Sequence, residues 1–425
     1  MRHRLREHGP RAALALAIAA AVGASAPAIA DDVDGAAPLP VAIGVPSSPA
    51  PVERCDLGRT NRSRVPFPLE PSEIDRRTVG SFAQVPIATG DGGLVVALSS
   101  PELLRLGPAG EEVFRTRLGP AQATRPPVML PDGGLAVLTA APSIVFVSKK
   151  GRVEATIALP KSGFNVQSPA SGVGEGFSSI APTADGAVAV AALRSFMIVE
   201  SSGAVRTRVD MPEPLATDLV LSEDAWLFVA TSGSVYAIRP PAAPKKVGAF
   251  PGMPMSPVVL ADRRTLVAQV AGSRLVSVDL ASGNTVIRAS EQGFATFDAA
   301  FALDAKDGYA VTTSEGFLVR YDAGGAEISR TPVDRNAGAA TPIAVLGRAA
   351  PPPQQTARGA LATDERGDVA FARPAGRFGV RAADGTVRVA SERVCQTPTA
   401  IVPLAPERLV VVCREGTLLF YGAPK

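Results

Sequence analysis

A chain of 425 residues with 46% hydrophobic but only 5% aromatic content is long enough to bury a sizeable core, and its formal charge of +3 is close to balance. The first thirty residues carry four of the 43 basic side chains and one of the 40 acidic ones, leaving 39 of each beyond them, so the remainder is not a basic surface built for nucleic acid or anionic lipid. Both histidines, His3 and His8, fall in the same stretch, and a chain without imidazole loses Ser/His and Cys/His nucleophile pairs, haem ligation through histidine and the common zinc sites.

Residues 1–30 place Arg2, Arg4, Arg6 and Arg11 ahead of an apolar run from Ala12 to Val22, followed by small residues up to Ala30. That order reads as an export signal cleaved after Ala30, and the run is too soon interrupted by Gly23, Ser25 and Pro27 to span a bilayer. A periplasmic or extracellular bacterial protein that does not span a membrane is the expectation. Residues 31–75 are proline-rich, with too few regularly spaced apolar positions for a core, and read as a linker.

From residue 76 to 425 short apolar runs rich in Val, Leu and Ala alternate with Gly, Asp, Ser and Pro clusters, and no helical period persists for three turns. The runs repeat one plan, clearest in "TLVAQVAGSRLVSVDLASGNTV" and "GYAVTTSEGFLVRYDAGGAEI": a strand, a tight turn, an alternating strand, a glycine turn and a further strand, with another apolar run upstream. The second-strand positions Leu94, Leu135, Ala187, Leu227, Leu266, Tyr309, Val369 and Leu409 mostly recur every ~40 residues, the period of four-stranded propeller blades. Longer intervals place extra residues near 171–179 and 335–357. The sequence therefore predicts an all-β, eight-bladed propeller of antiparallel blades, with seven as the alternative. The chain stops after the third strand of the eighth unit, so a strand from the N-terminal side must complete it, and residues 61–69, "NRSRVPFPL", are the candidate because Pro66 and Pro68 suit an outer edge.

Three cysteines, Cys55, Cys395 and Cys413, imply one disulfide and one leftover thiol in an oxidising compartment. A hairpin turning near 405–408 would set Cys413 opposite Ala400 rather than near Cys395. The expectation is a bridge from Cys55 to one of the two late cysteines, which would staple the ring's seam.

On those units the chain resembles the PQQ-like β-propeller repeat family, best in residues 256–287 and 308–328 and across roughly 77–423. The resemblance implies either a quinone-dependent dehydrogenase or a BamB-like binding scaffold. The first branch is marked by many blade-docking tryptophans, adjacent cysteines, and calcium ligands with a catalytic aspartate. Here Trp226 is the only tryptophan and no two cysteines are adjacent. No PQQ, calcium or other cofactor is therefore expected.

Asp91, Asp132, Asp185, Asp224, Asp262, Asp307 and Asp368 recur beside the first turn of successive units; a cation-holding ring is one reading and ordinary Asp-Gly turn chemistry the better one. Asp304 with Asp307, and Asp364 with Glu365 and Asp368, are dense enough to suggest paired carboxylates acting on a glycan. Trp226 and Tyr309 stand at matching second-strand positions and suit plugs between blades. The long insert with Arg335, Arg348, Pro351 and Gln354 is the candidate partner-binding loop. The functional expectation is a monomeric, non-enzymatic binding or scaffold module for a protein partner, with a cell-envelope component or glycan as alternative partners and a dehydrogenase-like or glycan-acting enzyme as the rival class.

Overall fold

The backbone turns back on itself every four to eight residues, and each reversal hydrogen-bonds a strand to the one before it. In this computed structural model the described residues are 62–424, apart from 83, 160–177, 193, 223, 255–258, 262–263, 271–272, 292–300, 305, 307, 335–359, 374–376, 392–394 and 396–397. All belong to the unit Ala37–Lys425. They form eight four-stranded antiparallel sheets and no helix. In seven of them the strands follow in chain order, from Ile87–Ala88 through Glu112–Arg117 in blade 1 to Ala360–Thr363 through Val387–Ser391 in blade 7. Blade numbers below follow this order.

The eight sheets form a propeller ring, because every neighbouring pair shares an apolar core. Strand alternation divides the side chains between the two neighbours. In the second strand of blade 1, Leu94 and Val96 pack with Val410, Val412 and Phe420 of blade 8. Val95 and Ala97 of the same strand pack with Met129, Leu135 and Val137 of blade 2. Both faces of each inner strand are therefore buried, and that is why these strands read as continuous apolar runs rather than alternating ones. The outermost strands alternate instead, as in Glu112–Arg117 and Val205–Asp210, with one side facing solvent. Trp226 is buried against Phe196, with ring centroids 6.2 Å apart, and Tyr309 meets Phe301 edge-on, so both plug the spaces between blades as expected.

Turn chemistry follows the sequence closely in the early blades. At Thr89–Gly93, Gly92 takes φ +82°, the Gly92 N–H bonds to the Thr89 carbonyl, and the Asp91 carboxylate accepts from the Thr89 hydroxyl and the Gly93 N–H. Asp132 and Asp185 serve their own turns in the same way. In blades 6 and 7 the carboxylate that closes the turn lies two residues earlier, at the position Thr89 holds in blade 1. Asp304 accepts from the Lys306 and Gly308 N–H groups, and Asp364 from those of Arg366 and Asp368. Asp262 and Asp307 lie outside the described residues.

The ring closes with an N-terminal strand, but not the expected one. Ser72–Thr78 pairs antiparallel with Thr417–Gly422 and completes blade 8, whereas residues 62–67 run inward toward blade 7. The reason is burial: Phe67 is fully enclosed in the core shared by blades 7 and 8, a position no rim strand could give it. The closing strand carries the charges that suit an open edge, with Arg76 bonded to Glu73 and Arg77 to Asp75.

The cysteine expectation is corrected. Cys395 and Cys413 are joined, with Cα atoms 6.1 Å apart, which removes both as partners for Cys55. The hairpin Pro398–Ala405/Arg408–Cys413 carries two register shifts, and these set Cys413 opposite Pro398 instead of Ala400. Cys395, three residues earlier, then reaches it. Cys55 lies outside the described residues; among the described residues the seam is held by the ladder of the closing strand and by the anchoring of residues 62–67.

Candidate functional site

A dense polar cluster lies where blades 6 and 7 meet the N-terminal segment. Asp364 is fully buried; its Oδ2 accepts the Phe67 backbone N–H at 2.8 Å and lies 3.3 Å from the Arg366 guanidinium. Arg366 also donates to the Phe67 carbonyl and pairs with Asp368 at 2.9 Å. Asp304 is 2% exposed and pairs with Arg320 at 2.8 Å, while the Arg62 guanidinium donates to its carbonyl oxygen. Ser63 donates its N–H to the Thr363 carbonyl, and the Thr363 hydroxyl donates to the Leu303 carbonyl. Burial pushes the Asp368 carboxyl above the usual carboxylate range, and neighbouring Asp364 adds to the effect despite the Ala383 N–H and Arg366 working against it. Asp364 and Asp368 are thus brought together as a pair, but Glu365 is exposed; the Asp364 carboxylate accepts from backbone N–H groups that tie residues 62–67 and the turn to the ring, while the buried Asp368 Oδ2 lies 2.9 Å from Arg366 without a hydrogen bond.

A second feature is concave. Between blades 1 and 2 a crevice of about 420 Å³ opens beside the turns that join first to second and third to fourth strands. Its apolar walls are Val95, Phe114, Met129 and Leu135; Asp91, Arg105, Lys149 and Lys150 supply its charged groups. Arg105 donates to Asp91 at 2.6 Å and to the Lys149 carbonyl at 3.0 Å, while its buried Nε finds no partner. Burial opposes ionisation of Asp91, but the Thr89 hydroxyl, Arg105 and the Gly93 N–H outweigh it and hold the carboxyl below its ordinary range. Lys149 and Lys150 are exposed and form no ion pair among the described residues.

Ladder register explains why this crevice is open. Arg105 stands opposite Val95 in the sheet of blade 1, as Arg320 stands opposite Ala310 in blade 6, and each pairs with the turn aspartate of its own blade. The blade that follows decides the outcome. In blade 7, Arg381 stands opposite Val369 and reaches back to Ser329 and Thr331 of blade 6, closing the space with a buried guanidinium. Val147 holds the same ladder position in blade 2, opposite Leu135, and Phe114 stands where blade 6 has Ser329. A short side chain replaces a long one, and the gap remains. The sequence signal was a charged residue interrupting an apolar strand, "ELLRL" and "FLVRY", which composition-level reading passes over.

Asp224 serves its own blade, paired with Arg239 at 2.6 Å, so the described turn aspartates form no ring around a shared point. Cys395, Cys413 and Glu415 lie close enough to share an ion, but the two sulfurs are joined to each other and offer no thiolates. Trp226 is 2% exposed within an inter-blade core and presents no face to a stacked ring ligand. Arg335, Arg348, Pro351 and Gln354 lie outside the described residues, and their insert joins the outer strand of blade 6, Glu327–Pro332, to the inner strand of blade 7.

The fold and its turns define a β-propeller with eight four-stranded blades. No family model matches the sequence, and no curated protein does. Among solved structures the chain is similar to the computationally designed Ika8 protein, at TM-score 0.61 and 12% identity over 84% of this chain and 99% of that one. It is also similar to the C-terminal WD40 domain of Sif2, at TM-score 0.57 and 12% identity over 84% and 100% of the two chains. Virginiamycin B lyase from Staphylococcus aureus aligns at TM-score 0.47 and 12% identity, over 82% of this chain and 99% of the enzyme. At such identities the likeness is one of fold.

Proposed function

We propose that this chain is an exported propeller that binds a protein partner on one face of its ring and carries out no chemistry of its own. The observation that supports the reading most is the fate of the acidic residues best placed for acid–base work. Asp304, Asp364 and Asp368 are at most 3% exposed, and each is engaged by an arginine, by backbone N–H groups or by both. Carboxylates so committed act as fasteners, whereas a glycosidase pair must face a sugar from two sides of a cleft. A rigid ring of shared inter-blade cores offers a wide platform with little ordering cost on binding. The leader-like residues 1–30 and the Cys395–Cys413 disulfide both favour an oxidising compartment outside the cytoplasm. The repeat is read as a degenerate relative of the PQQ-like family, BamB-like in fold.

The test has two arms. Cross-linking of the tagged protein in envelope extract, repeated with a variant lacking 335–357, is expected to give one partner whose cross-links map to one face and weaken on deletion. Cross-links scattered over both faces and the rim would overturn the docking reading. Addition of calcium and the quinone is expected to produce neither dye reduction nor a rise in Tm, and a turnover signal would establish the enzyme class instead.

A further inference from the structure

We propose that the crevice between blades 1 and 2 binds a small amphipathic anion, a single anionic head group on an aliphatic or aromatic body. This inference stands apart from the protein-partner reading, since the ligand is a small molecule and the site is one inter-blade gap. Three observations converge on it. The volume, about 420 Å³, lies within the ~300–1,000 Å³ of small-molecule sites, and the walls are Val95, Met129, Leu135 and the Phe114 ring. The charge beside them is unbalanced: Asp91 is already engaged by Arg105 at 2.6 Å, and the exposed Lys149 and Lys150 at the edge form no ion pair among the described residues. The structurally equivalent gap between blades 6 and 7 is filled from within by Arg381, which donates to Ser329 and Thr331, whereas blade 2 supplies only Val147. An apolar gap that the protein leaves open, edged by spare positive charge, fits a body that seeks burial and a head group that seeks cations.

The experiment is a calorimetric titration of the full chain with decanoate, decanamide and acetate at low ionic strength. Decanoate is expected to bind about tenfold or more tighter than decanamide, to weaken as salt screens the lysines, and acetate is expected to give no saturable heat. Lys149→Gln combined with Lys150→Gln changes only exposed side chains and should leave Tm unchanged. It is expected to lower decanoate affinity about tenfold while leaving decanamide binding unaltered. Equal affinities for decanoate and decanamide, no saturable decanoate binding, or an unchanged decanoate affinity in the double variant would each overturn the proposal.

Discussion

Phe67 donates its backbone N–H to Asp364 across 297 residues of sequence, at 2.8 Å, and both residues are fully buried. That single bond joins the segment ahead of the closing strand to the turn of blade 7. Together with the Arg366 guanidinium on the Phe67 carbonyl, it makes Asp364 the fastener between the N-terminal segment and blade 7.

Asp364→Ala should therefore destabilise the docking of residues 62–67 on blade 7. Orphaning the buried Phe67 N–H costs about 1–3 kcal/mol, the turn N–H groups of Arg366 and Asp368 lose the same acceptor, and the half-exposed Arg366 guanidinium adds little because solvent screens it. Denaturant melts should register the loss, and trypsin should cut faster at Arg62 and Arg64. Unchanged melts with unchanged cleavage would show that residues 62–67 are held by other contacts.

Removing the Cys395–Cys413 bridge, which spans 18 residues, should cost about 3 kcal/mol through the freedom returned to the unfolded chain. Cys395→Ser with Cys413→Ser, compared with the parent by chemical denaturation, measures it. Non-reducing peptide mapping should recover 395 and 413 joined, and a peptide linking Cys55 to either would contradict the pairing.

Acid titration should separate two kinds of aspartate. For Asp185 burial opposes ionisation, but the Thr183 hydroxyl and Arg206 prevail, and its carboxyl, like that of Asp91, sits below the ordinary range. Their contribution is present above the unfolded pKa of about 4 and is lost as pH falls through the lowered folded values. Asp368 has the opposite sign: burial raises it, so its protonated form favours the fold and that stability is lost as pH rises from about 4 through the raised value. Asp91→Asn should thus be less stable than the parent at neutral pH and converge with it in acid. Asp368→Asn should match or exceed the parent at neutral pH, and a large deficit there would reverse the assignment.

Tyr236, Tyr321 and Tyr421 should ionise late. Burial pushes Tyr421 up to about 12, and burial with Glu291 and Glu213 raises Tyr321 and Tyr236 as well. Phenolate absorbance of the folded protein near pH ~11 should fall well short of that in denaturant, where phenols titrate near ~10. Since raised phenol values favour the neutral fold, stability from these groups is present below about 10 and declines as pH climbs beyond it. Coincident curves for folded and unfolded protein would remove the burial argument.

Blade number, strand order and the need for an N-terminal strand to finish blade 8 were legible because each is a consequence of local alternation and turn chemistry repeated along the chain. The anchors Leu94, Leu135, Tyr309 and Val369 fall at or beside the starts of second strands, and Asp91, Asp132 and Asp185 close turns as their neighbours require. What failed depended on burial and on register: Phe67 drew residues 62–67 inward and left the rim to Ser72–Thr78. Cys413 moved from Ala400 to Pro398 because two irregularities in one hairpin shift the pairing, and no composition reports a bulge.

By itself the sequence determined the module: which residues alternate, where the chain reverses, and that the copies must close on themselves to hide their edges. Only the tertiary structure decided which segment became the rim strand, which cysteines met, which carboxylates became fasteners, and where a gap stayed open. Those outcomes turn on which side chains from distant blades face each other. Val147 opposite Leu135 and Arg381 opposite Val369 hold the same ladder position in their blades, yet one leaves a crevice and the other fills it.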